Sequence, residues 1–196
     1  APIKGLKGGK IVFPTISVGA TENAIMAAVL AKGSTCIYNA ALEPEILDLC
    51  DCLNSMGAKI FNIGKSKIEI EGVSSFSKAR HRVLPDRIET GTYIIAAAIT
   101  DGDIIIRNTN PKLLKSFLRV LYNAGLIMEE NENSIYVKPS GQLNSFELKT
   151  REFPGFPTDM QAQIMVLGSI SRGVSKVTEN IFENRFMHVP ELNRLG

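Results

Sequence analysis

Three stretches of the chain spell the same helix in different letters. Glu22–Gly33, Gly91–Gly102 and Met160–Gly173 are each apolar, rich in small residues and closed by a glycine of the helix-ending kind. The closing glycines, Gly33, Gly102 and Gly173, stand 69 and 71 residues apart. Such a period marks one supersecondary unit used repeatedly, and it constrains the fold more than any other feature of the sequence.

The segments between the glycines fill in the unit. A short β-rich run follows each one: Thr35–Tyr38, Ile104–Arg107 and Ser175–Thr178. A second helix comes next. Pro44–Met56 and Pro111–Ala124 carry their apolar residues at helical spacing, each with a proline suited to the first turn. These helices close at Gly57 and Gly125, with Gly196 in the corresponding place of the third unit. Two strands follow in the fuller units, Lys59–Ile63 with Lys67–Glu71 and Leu126–Glu129 with Ser134–Lys138. With a leading strand before each first helix the unit reads βαβαββ, an α/β (α+β) fold class. The third unit breaks off at Gly196, which would leave an apolar helix face and a sheet edge uncovered. The chain is therefore expected to be part of a longer protein. Polar Ser74–Pro85, ending in Leu84-Pro85-Asp86-Arg87, reads as a junction between domains spanning 1–82 and 83–196.

Bulk properties narrow the class. A net charge of +2 without a basic run does not suggest nucleic-acid binding. No apolar run is long enough to span a bilayer, and Ala1-Pro2-Ile3-Lys4-Gly5 lacks the layout of a signal peptide. Cys36, Cys50 and Cys52 form no disulfide framework, so reduced packing thiols in a cytoplasmic protein are expected. Cys50 and Cys52 would point about 200° apart on a helix and could not chelate together. With only His81 and His188 besides, no metal site is evident, and no cofactor is implied.

The densest chemical signal is Phe156-Pro157-Thr158-Asp159-Met160-Gln161-Ala162-Gln163. Pro157 fixes the approach to a helix, and Thr158 with Gln161 has capping-box spacing. Asp159 would lie in the first turn, where the helix dipole favours its ionised form. Taken alone, the pattern fits simple helix stabilisation; a rigidly held carboxylate is also able to accept a proton from a substrate hydroxyl.

Five motifs resemble one family. Ser17-Val18-Gly19-Ala20-Thr21, Glu43-Pro44-Glu45-Ile46, Leu84–Thr92, Phe156–Gln163 and Phe182–Leu192 occur in order along essentially the whole chain. They are similar to the UDP-N-acetylglucosamine enolpyruvyl transferases of bacterial peptidoglycan synthesis. The resemblance implies two similar domains of three βαβαββ units each, the inside-out α/β barrel arrangement, with an active site in the cleft. It implies two substrates, UDP-N-acetylglucosamine and phosphoenolpyruvate, with the remainder of the parent chain as partner and the bacterial cytoplasm as location. Asp159 would take the proton of the sugar 3-hydroxyl, and Arg185 would be a cleft cation for a phosphate or carboxylate. Ser17, Val18 and Gly19 would contact the diphosphate region, since a glycine turn before a helix presents donors to an anion; without the resemblance, a plain helix start capped by Thr21 explains the same residues. Ile181 would line the uridine site. Thr15 stands where the family pattern expects a lysine. None of the three cysteines matches the family's reactive-cysteine motif, so the chain by itself is expected to be inactive. Two other readings remain: a transferase acting on shikimate 3-phosphate, and a non-catalytic βαβαββ module binding RNA or protein.

Overall fold

A computed structural model describes residues 5–196. The N-terminal reading of residues 1–4 lies outside the described residues. The chain forms two compact units divided between Leu84 and Pro85, two residues beyond the expected division.

The first unit runs β1 (Lys10–Val12), α1 (Val18–Ala28), β2 (Ser34–Tyr38), α2 (Pro44–Ser55), β3 (Lys59–Phe61) and β4 (Lys67–Glu71). This is the βαβαββ order read from the sequence. Its four strands are arranged β1-β2-β4-β3, with β1 parallel to β2 and the other pairs antiparallel. Alternation decides the faces. Thr35 and Ile37 of β2 pair with Ile70 and Ile68 of β4 and are buried. Ile25 and Ala28 of α1 and Ile46, Cys50 and Leu53 of α2 pack into the same core. The opposite face carries Cys36 beside Glu69 and Tyr38 beside Lys67. Pro44 opens α2 as expected.

The chain leaves this unit along residues 73–84, held by few contacts. Ser77 bonds through N–H and hydroxyl to the Met56 carbonyl, at 2.9 and 3.1 Å. Asp48 Oδ1 on α2 accepts from the Leu84 N–H at 3.2 Å and meets His81 Nε2 at 3.0 Å. These donors are committed to loop contacts instead of a ladder. The leading strand expected before the second set of helices is accordingly absent among the described residues, a correction to the unit pattern. Asp48→Ala removes an acceptor worth about 1–2 kcal/mol of local stability. Trypsin cleavage after the exposed Arg80 or Arg82 is therefore expected to speed up about 5- to 30-fold. Peptide mapping of limited digests checks this, and an unchanged cleavage rate would remove Asp48 as the anchor.

The second unit contains α3 (Arg87–Ile99), β5 (Ile104–Arg107), a 3-10 turn at Pro111–Leu114 continuing into α4 (Lys115–Ala124), β6 (Met128–Asn131) and β7 (Ser134–Val137). The sequence predicts one continuous helix over Pro111–Ala124; the first four residues wind more tightly. Next come β8 (Glu147–Lys149), a 3-10 turn at Thr158–Met160, α5 (Gln161–Ile170), β9 (Lys176–Thr178) and α6 (Val189–Arg194). The strands form an antiparallel sheet, β5-β7-β6, and a parallel pair, β8-β9. A single core joins Ile94 of α3, Phe117 and Leu121 of α4, Ile135 of β7, and Met160 and Ile164 at the start of α5. The described residues mix helices and sheets and close no barrel.

The three repeat glycines do different work. Gly33 (φ +89) and Gly173 (φ +100) take the left-handed conformation that glycine tolerates, but each lies beyond the helix end, after a residue in an isolated β-bridge. Gly102 does not take it. Asp101 (φ +49) turns the chain instead, and the Gly102 N–H bonds back to the Ala97 carbonyl at 2.8 Å in the Schellman manner. The shared period thus hides two ways of ending a helix.

Candidate functional site

Asp159 lies in the 3-10 turn that enters α5, where the sequence places it. The capping box does not form. Pro157 holds the cap position without a side-chain bond, and Gln161 is 1% exposed instead of reaching back to Thr158. Thr158 turns toward the segment after β9, which is what organises the site.

That segment begins with Glu179. Its Oε1 accepts from the N–H groups of Ile181 (2.8 Å) and Phe182 (3.1 Å) and from the Thr150 hydroxyl (2.9 Å). Its Oε2 accepts from the Thr158 hydroxyl at 2.8 Å. Thr150 is fully buried and follows β8; its Oγ1 accepts from the Asn180 N–H at 2.9 Å. One carboxylate thus ties the ends of the parallel pair to the turn carrying Asp159. Arg185 completes the cluster. Its Nη1 donates to Thr158 Oγ1 at 3.1 Å, its Nη2 to Asp159 Oδ1 at 2.7 Å, and its guanidinium lies 5.1 Å from the Phe182 ring centroid. The Asp159 side chain remains 55% exposed and that of Arg185 36%. Among the described residues, the bond to Arg185 engages Asp159 Oδ1 and no hydrogen bond engages Oδ2, which stays open to solvent.

Asp159, Arg185 and the backbone of Ile181 are therefore gathered around Glu179 and Thr158. Sequence reasoning missed Glu179; the only signal was a carboxylate placed directly after a predicted strand.

Partial burial raises the Glu179 carboxyl, but the Ile181 N–H, the Thr158 and Thr150 hydroxyls and the Phe182 N–H more than offset this and hold it below its ordinary value. A folded value below the unfolded one, about 4.3, gives stability that is fully present above that pH. It is lost as pH falls through the depressed folded value. The stability gap between wild type and Glu179→Gln is expected to narrow below about pH 4, read by circular dichroism during denaturant titration. A gap that stays constant would mean the ionised form is not what stabilises the turn.

Ser17, Val18 and Gly19 belong to the first unit, at the start of α1. Ser17 is the N-cap, its Oγ accepting from the Ala20 N–H at 3.3 Å. Thr21 is not the cap: its hydroxyl donates to the Ser17 carbonyl at 2.8 Å and accepts from the Ala41 N–H at 3.0 Å. The helix therefore starts before the predicted Glu22, and Val18 and Gly19 supply first-turn N–H groups. Thr15 is exposed ahead of them. Cys50 is fully buried, and burial, aided by Asp51, pushes its thiol up to about 11. A thiol so raised is a packing group. No group of three or more potential metal ligands occurs among the described residues, and no described helix is long and apolar enough to cross a membrane.

The chain belongs to the EPSP synthase (3-phosphoshikimate 1-carboxyvinyltransferase) family, whose pattern matches residues 1–196. It is thus placed among the enolpyruvyl transferases. Within the family it is 54% identical over 197 residues to the UDP-N-acetylglucosamine 1-carboxyvinyltransferase of Rhizobium johnstonii, covering 100% of this chain and 46% of that protein. The enzyme of the same name from Zymomonas mobilis subsp. mobilis is 53% identical over 196 residues, with the same shares covered. The chain spans about half the length of the curated relatives it matches. The crystal structure of the enolpyruvyl transferase NikO from Streptomyces tendae superposes with a TM-score of 0.78 at 25% identity, covering 91% of this chain and 43% of that one. The five motifs thus resemble the same enzymes that the full-chain matches name.

Proposed function

We propose that the chain is part of an enzyme that transfers the enolpyruvyl group of phosphoenolpyruvate to the 3-hydroxyl of UDP-N-acetylglucosamine, the step that commits this sugar nucleotide to peptidoglycan. Asp159, held by Arg185 with one oxygen open, is the observation that carries the reading. As the sugar oxygen bonds to C2 of phosphoenolpyruvate, Asp159 accepts the hydroxyl proton and a proton adds to C3, giving a tetrahedral intermediate with a methyl group. Loss of phosphate from C2 and of a proton from C3 then re-forms the enol double bond. Arg185 supplies positive charge where the substrate anions lie. Ser17, Val18 and Gly19 bind the diphosphate through a hydroxyl and first-turn N–H groups, and Ile181 borders the uridine. The two compact units are read as the last βαβαββ unit of one domain and the opening units of another. The 54% identity to enzymes named for this acceptor supports it over shikimate 3-phosphate.

The full-length protein containing this chain is expected to release phosphate from phosphoenolpyruvate when UDP-N-acetylglucosamine is supplied, and to give only background release with shikimate 3-phosphate. Turnover with the latter acceptor alone would transfer the assignment to the other branch of the family.

A further inference from the structure

The cluster around Glu179 has a fixed direction. An ionised carboxylate only accepts hydrogen bonds, so the Thr158 proton points to Glu179 Oε2. A Thr158 lone pair must then receive the Arg185 Nη1–H, leaving Nη2–H for Asp159 Oδ1. Reversing any bond in the run Arg185 to Thr158 to Glu179 would leave two donors or two acceptors facing each other. Among the described residues Thr158 and Asp159 are the groups that accept from the guanidinium, and the Phe182 ring, 5.1 Å from its carbon, is a non-directional contact that does not set which nitrogen meets which acceptor. We propose that Glu179 is a positioning residue: acting through the Thr158 hydroxyl, it sets the orientation of Arg185 and so the carboxylate of Asp159. The inference rests on the reading of Asp159 as the base.

The backbone role of Glu179 is separable from this one. Oε1 holds the Ile181 and Phe182 N–H groups and the Thr150 hydroxyl, while Oε2 alone serves Thr158. In Glu179→Gln the amide oxygen can keep the Oε1 bonds. The amide nitrogen then faces Thr158 as a donor, and the run loses its polarity. Thr158→Val cuts the same run while leaving every Oε1 bond in place.

The test uses the full-length enzyme, with kcat and KM for UDP-N-acetylglucosamine measured by phosphate release. Glu179→Gln and Thr158→Val are each expected to lower kcat about 10- to 100-fold, the scale of a displacement near 1 Å at a reacting group. KM should move less than about threefold, and Thr158→Ser should recover most of the loss by restoring the hydroxyl. In an Arg185→Ala background, Glu179→Gln should add less than about a twofold further loss, because both act through one guanidinium. Independent, multiplying losses in the double variant would overturn the proposal, as would wild-type kcat in Thr158→Val. If Glu179→Gln fails to fold, Thr158→Val with Arg185→Ala completes the same cycle. A failure of the functional reading looks different. Activity only with shikimate 3-phosphate would change the acceptor and leave the cycle measurable with it. Full activity in Asp159→Asn would remove the base and leave the coupling between Thr158, Glu179 and Arg185 to be scored on its own.

Discussion

Alanine at position 159 of the full-length enzyme is expected to lower turnover about 10²- to 10⁴-fold, the usual loss on removing a general base. Stability should barely move. The Asp159–Arg185 pair is largely solvent-exposed, and exposed pairs contribute about 0.2–1 kcal/mol. Asparagine makes the sharper test. Its side-chain oxygen can still accept from Arg185 Nη2, so the guanidinium keeps its anchor, but the amide cannot take a proton at neutral pH. Asp159→Asn should therefore be nearly as inactive as Asp159→Ala. An asparagine variant retaining most of the activity would reduce Asp159 to an anchor for Arg185 and return the base to another group.

The largest expected loss of stability comes from Phe117→Ala. Phe117 is fully buried in α4, and its ring lies 5.8 Å from that of Phe156 at a tilt of 47°. A Cβ added at Gly91 on α3 would come within 3.3 Å of the Phe117 ring and 2.7 Å of Met160, so helix, ring and turn are closely packed there. Truncation leaves a cavity beneath the segment that leads to Asp159, at about 3–5 kcal/mol. For a unit of this size the melting transition should fall on the order of 10–20 °C. Phe117→Leu, which refills most of the space, should lose far less. Calorimetry on the wild type and both variants checks the pair, and equal shifts for alanine and leucine would argue against a packing origin. Activity below the lowered transition should also drop, because Phe156, which packs on Phe117, lies two residues before the turn that carries Asp159.

The sequence carried β2 and α2 of the first unit because the local cues there agreed with the tertiary ones. Thr35 and Ile37 alternate with half-exposed neighbours, Pro44 opens a helix, and Ile46, Cys50 and Leu53 form one stripe. The candidate site was legible in part: Asp159 and Arg185, singled out in the sequence, come together in the fold. It was illegible where a residue's role depended on a partner distant in sequence. Thr158 looked like a cap because Gln161 follows at capping distance, but its hydroxyl donates to Glu179, 21 positions on. Thr21 looked like a cap because hydroxyls cap helices, yet Ser17 also qualifies, and Thr21 is drawn to Ala41, 20 positions away. The missing strand before α3 was assumed from the period, which does not reveal that Asp48 and Met56 hold the approaching chain.

Asp101 bears on how such a protein should be redesigned. Averaging the three repeats on their shared glycines would keep glycine at 102 and place a basic residue at the left-handed position 101, where Lys32 and Arg172 stand in the other repeats. That substitution would delete the carboxylate that accepts from the Ser140 and Gly141 N–H groups, at 2.7 and 2.9 Å, and closes the loop after β7. Bonds to a charged acceptor are each worth about 1.5–3 kcal/mol. Here the letter that departs from the repeat holds the tertiary information, and consensus engineering would erase it.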